Sequence, residues 1–270
     1  MTAASPAIAV AAPARHNRVV TAVEDTLAVC VRNLTTFRRV PQLLVFSTIQ
    51  PVVFVLLFRY VFGGAIHVPG HSYVDFLMPG IFAQTVAFGA ISTAIGLSSD
   101  LQSGLIERFR SLPMARSAVL AGRTTADLVR NVFVIALMLA VGYGVGFRIH
   151  RGVGLLIVAL LLLLLFGYAL SWIFASVGLA VGDPETAQAA AFPVMAPLVF
   201  ASSAFVPVSS MPGWLQGFAS HQPLSVTVSA ARALVNGGPT ASYLLQAIGW
   251  CVGIIAVFAP LAVRRYRRTA

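Results

Sequence analysis

The sequence predicts an all-α polytopic membrane protein: six transmembrane helices, an N-terminal interfacial helix, and two short re-entrant outer helices between helices 5 and 6. Three observations predict it. Of 270 residues, 58% are hydrophobic and only 10% charged, where a soluble domain carries roughly 25% charged residues. The mean hydropathy is +0.88. The apolar residues come in long uninterrupted runs with Arg at their flanks, which is how membrane-spanning helices read.

The chain opens with an Ala-rich stretch containing two Pro and no leading positive region. Residues 1–17 are therefore expected to be a disordered cytoplasmic tail, not a signal peptide. Residues 18–268 form the membrane domain, beginning with an interfacial helix over 18–40. Val20, Val23, Leu27, Val31 and Leu34 recur at helical steps with Glu24, Asp25, Arg32 and Asn33 between them. That segment is too polar to span and suits the interface plane.

Six spans follow, over about 42–62, 75–98, 128–147, 153–181, 187–207 and 241–263. Each holds enough apolar residues to cross a hydrocarbon core of about 30 Å. Pro193 and Pro197 predict a kink in the fifth. With the N-terminus inside, 14 of the 18 basic residues fall on inner segments, so both termini are cytoplasmic and the span number is even. Arg148 and Arg151, in a short outer loop, are a local exception.

Residues 99–127 form a long inner loop with helical patterning, and Gly182-Asp183-Pro184 is a turn followed by a helix N-cap. Residues 208–240 are too apolar for a solvated loop. Met211, Trp214, Leu215 and Phe218 space as one short helix, and the stretch after Pro223 as another. The pair either dips back into the membrane or lies on its surface.

Several functions are excluded by what is missing. The chain contains no Lys, so it has no P-loop and no ATPase site of its own. Asp75, Asp100, Asp127 and Arg59 sit at span ends, Arg130 counts with the inner segment, and the spans between are otherwise free of charge. Coupling to an ion gradient needs ionisable groups at membrane depth. Such an apolar interior suits a hydrophobic or amphiphilic cargo. Catalytic motifs are absent, and His67 and His71 stand in a Gly/Pro loop without a third ligand. Cys30 and Cys251 imply no disulfide framework. The net charge of +10 is spread beside apolar runs, which fits anionic membrane lipid and not nucleic acid. Lys-free, Ala-, Val- and Arg-rich usage points to a high-GC bacterial genome and hence a bacterial inner membrane.

The stretch Glu107-Arg108-Phe109-Arg110-Ser111-Leu112-Pro113 sets apolar residues among charges in the inner loop. It reads either as a docking helix for a soluble partner or as a surface helix held by lipid phosphates. This stretch closely resembles the coupling segment of type-2 ABC export permeases, in particular the daunorubicin/doxorubicin-resistance type of actinobacteria. Further matches are Phe205 to Leu215, with Pro207, Pro212 and Trp214, and Gln222-Pro223-Leu224 followed by Arg232. Val226 departs, standing where a polar residue or Tyr is usual.

The resemblance implies that Glu107, Arg108, Phe109, Arg110, Leu112 and Pro113 dock into a separate ABC ATPase subunit, which holds the ATP and Mg. It implies a second permease chain, the same or different, with cargo passing between the two. The resemblance also implies two re-entrant outer helices, and the pattern of apolar residues with one Arg there suggests that Pro207, Pro212, Trp214, Phe218, Pro223 and Arg232 form an outer re-entrant gate or lateral exit. Cargo would be a drug, an antibiotic or a lipid-like compound; an ATP-independent carrier, an assembly scaffold and a lipid or glycan exporter of the same fold are the alternatives.

Overall fold

A computed structural model describes residues 18–39, 41–64, 66, 72–111 and 116–268. These residues are nearly all helical, with no strand among them. The helices are α1 (Arg18–Arg39), α2 (Pro41–Leu56), α3 (Tyr73–Gln102), α4 (Leu105–Ser111), α5 (Arg116–Gly144), α6 (Val153–Val181), α7 (Pro184–Phe200), α8 (Gly213–His221), α9 (Pro223–Asn236) and α10 (Thr240–Arg268). Helix α2 runs on into a wider π-helical turn over Leu57–Phe62. The expected tail at 1–17 and the pair His67/His71 lie outside the described residues.

The helix starts follow local chemistry. Pro opens α2, α7 and α9, where its missing N–H costs nothing. The Ser72 hydroxyl accepts the Asp75 N–H at the head of α3, and Asp183 accepts the Thr186 N–H at the head of α7. Gly182, at φ 75°, ends α6 in a left-handed conformation, which Gly adopts without a Cβ penalty.

Four helices are long and apolar enough to cross a membrane: α3, α5 from Ser117, α6 and α10. Helix α3 is the axis, packed by α2, α5, α6, α7 and α9. Its most apolar 18-residue stretch is 78% buried, against 17% for that of α10. The core gathers Leu77, Ile81 and Phe82 of α3, Met138 of α5 and Phe166 and Phe174 of α6. Small residues let the backbones approach. A Cβ at Gly80 would meet the Ala204 carbonyl, and one at Gly178 would meet the backbone of Ala94.

Two boundaries differ from expectation. Helix α5 begins at Arg116, well before the expected start at 128. Ala118, Val119 and Leu120 are buried there, so the expected inner loop is the end of α3, then α4, then the first turns of α5. Helix α7 stops at Phe200 instead of 207. Beyond it the chain turns: Ser202 Oγ accepts the Ala204 N–H and the Gln222 side-chain amide donates to Ala201 O. Both Pro193 and Pro197 lie inside α7.

Helix α1 lies along α5. Val29, Cys30 and Asn33 are buried, while Val20, Val23, Leu27 and Val31 are exposed. The apolar stripe of the sequence therefore faces away from the bundle, and a second face, set against Gly122, docks on the protein.

Candidate functional site

Helix α4 sits at the end of the bundle that also holds α1. Two residues, Ser103 and Gly104, join it to α3, with Gly104 at φ 67°. Ile106 is buried with Leu97 of α3, Leu120 of α5, Trp172 of α6 and Tyr266 of α10. Glu107 and Arg108 are exposed. Phe109 and Arg110 belong to α4, but their side chains, like all of Leu112 and Pro113, lie outside the described residues. Among the described side chains of α4, Ile106 is the buried apolar anchor and Glu107 and Arg108 face outward.

Beside it, Asp100 gathers two cations. Its Oδ2 is 3.1 Å from Arg123 and 3.4 Å from Arg32. This ties α1 and α5 to the end of α3. A side chain at Gly96 would collide with the Arg123 guanidinium.

At the opposite end the expected gate residues separate into two groups. Arg232 Nε donates to Phe76 O at 2.7 Å and a terminal nitrogen donates to Ala204 O at 2.9 Å. Its guanidinium carbon lies 3.5 Å from the centre of the Phe76 ring. Asn236 donates to Asp75 O at 2.8 Å. Ten of the fourteen residues of α9 are buried. Pro223 is its first residue, and Val226 packs apolar side to apolar side with Leu162 and Ala247. Trp214 and Phe218, on α8, are instead 81% and 51% exposed. Pro207 precedes a short 3-10 turn at Val208–Ser210 and Pro212 precedes α8. Arg232 is therefore a brace between α9 and α3, and the aromatic pair does not meet it.

The centre of the bundle holds charge. Asp127 and Arg130, expected with the inner loop segment, lie mid-way along α5 and are 1% and 6% exposed. Thr93 Oγ1 donates to Asp127 Oδ2 at 2.6 Å. Arg130 donates to Ser92 Oγ and Gly89 O, both at 2.6 Å, and to Asn131 Oδ1 at 3.3 Å. Its separation from Asp127 is 3.9 Å. A cavity of about 180 Å³ opens beside this cluster, lined by α2, α3 and α5. Buried charges persist only when paired and hydrogen-bonded, and these are. The signal was present in the sequence: Gln84, Thr85, Gly89, Ser92 and Thr93 on α3, and Asp127, Arg130 and Asn131 on α5, recur at three- and four-residue steps.

Residues 24–235 match the family described as ABC-2 type transporter. The chain is 37% identical over 249 residues to the daunorubicin resistance ABC transporter permease DrrB1 of Streptomyces coeruleorubidus, covering 92% of this chain and 87% of that one. It is 29% identical over 260 residues to the "Probable doxorubicin resistance ABC transporter permease protein DrrC" of Mycobacterium tuberculosis, covering 96% and 94%. A doxorubicin resistance permease, DrrB, of Mycobacterium tuberculosis shares 29% over 194 residues, covering 69% and 67%. A bundle of long apolar helices and a match across most of its length to these permeases make the chain a member of the ABC-2 type transporter family, homologous to drug-resistance ABC permeases.

Proposed function

We propose that the chain is the membrane-spanning half of an ATP-driven exporter of hydrophobic or amphiphilic compounds, worked from the cytosol through α4. The ATP and Mg belong to a separate ATPase subunit, since this chain contains no Lys with which to build a P-loop. Two permease chains enclose the path, in the bacterial inner membrane. Six spans are formed by α2 with its π-helical turn, α3, α5, α6, α7 and α10, with both termini cytoplasmic. Helices α8 and α9 re-enter from the outer side. The four long apolar helices and the Arg distribution support this topology. The drug resistance named for the relatives supports a drug, antibiotic or lipid-like cargo.

One observation carries the coupling role of α4. It is a separate short helix fixed to the bundle by Ile106, with Glu107 and Arg108 facing out. In the proposed cycle, closure of the ATPase subunits pushes α4 as a rigid body. The buried Ile106 passes the shift to α3, α5 and α6, and the path opens outward. Glu107, Arg108 and Arg110 set the register with charged partners; Phe109 and Leu112 fill the partner's groove, and Pro113 ends the helix. The aspartate–arginine pair at the centre of α5 is paired within the bundle, so it does not by itself supply an ion-driven cycle.

The test is the double variant Phe109→Ala/Leu112→Ala in membranes that also hold the ATPase. Cargo export and permease-stimulated ATP hydrolysis are expected to fall about tenfold or more, as when interface anchors are truncated, with membrane insertion unchanged. Undiminished export overturns the assignment. Export down a proton gradient without a nucleotide-hydrolysing subunit overturns the ATP-driven reading.

A further inference from the structure

We infer that the exposed face of α8 lines a water-filled vestibule that reaches from the outer side to the middle of the membrane, with His221 at its deep end. The inference rests on the proposed re-entry of α8 and α9. It rests on the exporter reading for one point only, that the vestibule is the outer part of the cargo path.

Depth comes first. Val226 of α9 packs with Leu162 of α6 and Ala247 of α10. Leu162 stands nine residues after Val153, and Ala247 seven after Thr240, where those helices begin at the outer side. At 1.5 Å per residue these are about 14 and 11 Å inward. Along α9, Asn236 holds Asp75 O at the head of α3, and Val226 lies about 15 Å from it. His221 stands five residues beyond Val226. From the other side, Gln222 donates to Ala201 O, about 26 Å from the start of α7 at Pro184. These registers agree on about 18 Å below the outer ends of α6 and α10. Each of the two helices has 29 residues, about 44 Å, and overhangs a hydrocarbon core of about 30 Å by several Å at each end. His221 therefore lies close to mid-depth.

Exposure comes next. Trp214, Gly217, Phe218 and His221 follow at three- and four-residue steps, so they share one face of α8. All four are exposed, and so is Ser220 beside them. A Cβ at Gly213 or Gly217 would meet nothing within 4 Å. At comparable depth the other exposed faces differ in kind. Leu161 on α6 and Ile248 and Val252 on α10 are apolar, as a face against lipid tails must be.

The imidazole decides what covers the α8 stripe. Gly217 O lies 2.9 Å from His221 Nδ1. A carbonyl only accepts, so Nδ1 carries the hydrogen and Nε2 of the neutral ring is left as an acceptor. Ser220 Oγ lies 2.9 Å from the same Nδ1, and no group among the described residues serves Nε2. Hydrocarbon offers Nε2 no donor, and an unmatched polar atom in the membrane is costly. Water supplies the donor without any matched geometry, whereas a second copy packed on the stripe has to place one. An ionisable side chain open at this depth marks a path and not a lipid face.

The experiment uses cells that express the full chain on a Cys30→Ala/Cys251→Ala background. His221→Cys and Gly217→Cys each place a thiol on the stripe, and Ile248→Cys places one on the exposed apolar face of α10. The probe is a membrane-impermeant cationic methanethiosulfonate added from outside, which reacts with thiolate and so needs water at the sulfur. Both stripe thiols are expected to label about tenfold faster or more than the Ile248→Cys thiol, since a thiol in hydrocarbon is almost wholly un-ionised. Stripe thiols no faster than the Ile248→Cys thiol overturn the proposal, and so do stripe thiols reached only in inverted vesicles. A disulfide between two copies of His221→Cys under copper phenanthroline, with labelling lost, assigns the stripe to a second copy and overturns it as well. Gly217→Cys leaves the imidazole in place, so it decides the case if His221→Cys does not insert. No arm needs the ATPase. The exporter reading therefore fails separately, as absence of nucleotide-driven export from a chain whose stripe thiols still label from outside.

Discussion

The two ends of the bundle are fastened by different means. At the end that carries α9, side chains bind main-chain groups. Arg232 holds Phe76 O and Ala204 O, Asn236 holds Asp75 O, and Tyr73 donates to Phe205 O at 3.1 Å. The Ser225 hydroxyl accepts the Ser203 N–H at 2.9 Å. Asp75 O lacks a ladder donor because Pro79 stands four residues on, and Ala204 O, Phe205 O and the Ser203 N–H lie in the irregular stretch after α7. At the α1 end, Asp100 shares two partly exposed arginines, and Ile106 is the buried apolar side chain of α4 among the described residues. A buried carbonyl deprived of its donor costs more than an exposed ion pair contributes. One end therefore holds its shape, and the other can change partners at low cost. That asymmetry suits a machine driven from one side.

Arg232→Leu tests the first half of the comparison and carries the largest expected effect. Two carbonyls and a ring face lose one partner together. The loss is about 2–4 kcal/mol, read as a fall of several degrees in Tm in detergent. Arg232→Lys restores only part, since an ammonium cannot serve both carbonyls and cover the ring in one plane. An unchanged Tm in Arg232→Leu would mean that the α9 end is not braced by this residue.

The second half is tested at α1 with a native reporter. Cys30 is 5% exposed on the docked face of α1. Burial, and after it the charge of Asp127, push its thiol above the ordinary value, so the reactive thiolate is scarce. Asp100→Asn removes the shared carboxylate. It is expected to cost only about 0.5–1 kcal/mol, yet to speed maleimide labelling of Cys30 severalfold by freeing α1. Salt should do the same to the unmodified chain by screening the pairs. Gly122→Leu, which would strike Thr26 O and Val29, should speed it further. Cys251, fully buried on α10, should label in none of these. Equal Cys30 labelling throughout would mean that α1 is not held by Asp100 and that the two ends are alike.

How much of this the sequence carried depends on the kind of signal. Helix α6 matches its expected range, 153–181, because a long apolar run between a Gly and a Gly-Asp-Pro turn has one reading. The start of α5 was hidden, because a helix buried against protein keeps its period but need not keep its hydropathy. The end of α7 was hidden because residues 201–207 are as apolar as a helix, and it is side-chain hydrogen bonds from distant residues, among them Gln222, Ser225 and Arg232, that hold the turn there. Asp127 and Arg130 read as residues of a solvated inner loop or span edge by their charge, and their burial became visible only with their partners on α3 and α5. Arg232 stood out by resemblance, but its role as a brace is a matter of three-dimensional contact. Trp214 and Phe218 suggested a gate by their apolar pattern, and both are exposed on α8.

The smallest effect sharpens the comparison at the α6–α7 turn, on the same side of the bundle as α1. The Asp183 carboxylate accepts the Thr186 N–H at 2.8 Å and the Thr186 hydroxyl at 2.7 Å. These bonds, the backbone one first, hold its carboxyl below the ordinary carboxylate range. The folded pKa is depressed, so the cap's contribution is complete above the ordinary range and is lost as pH falls through the depressed value. Asp183→Ala should therefore speed hydrogen exchange of the Thr186 amide at neutral pH, and the difference should vanish in acid. Because the site is exposed, Tm should barely move. If exchange is unchanged at neutral pH, the cap does not form. If instead Asp183→Ala also speeds Cys30 labelling, the α1 end opens as one cooperative unit, and the contrast lies between two rigid bodies and not between a braced end and a loose one.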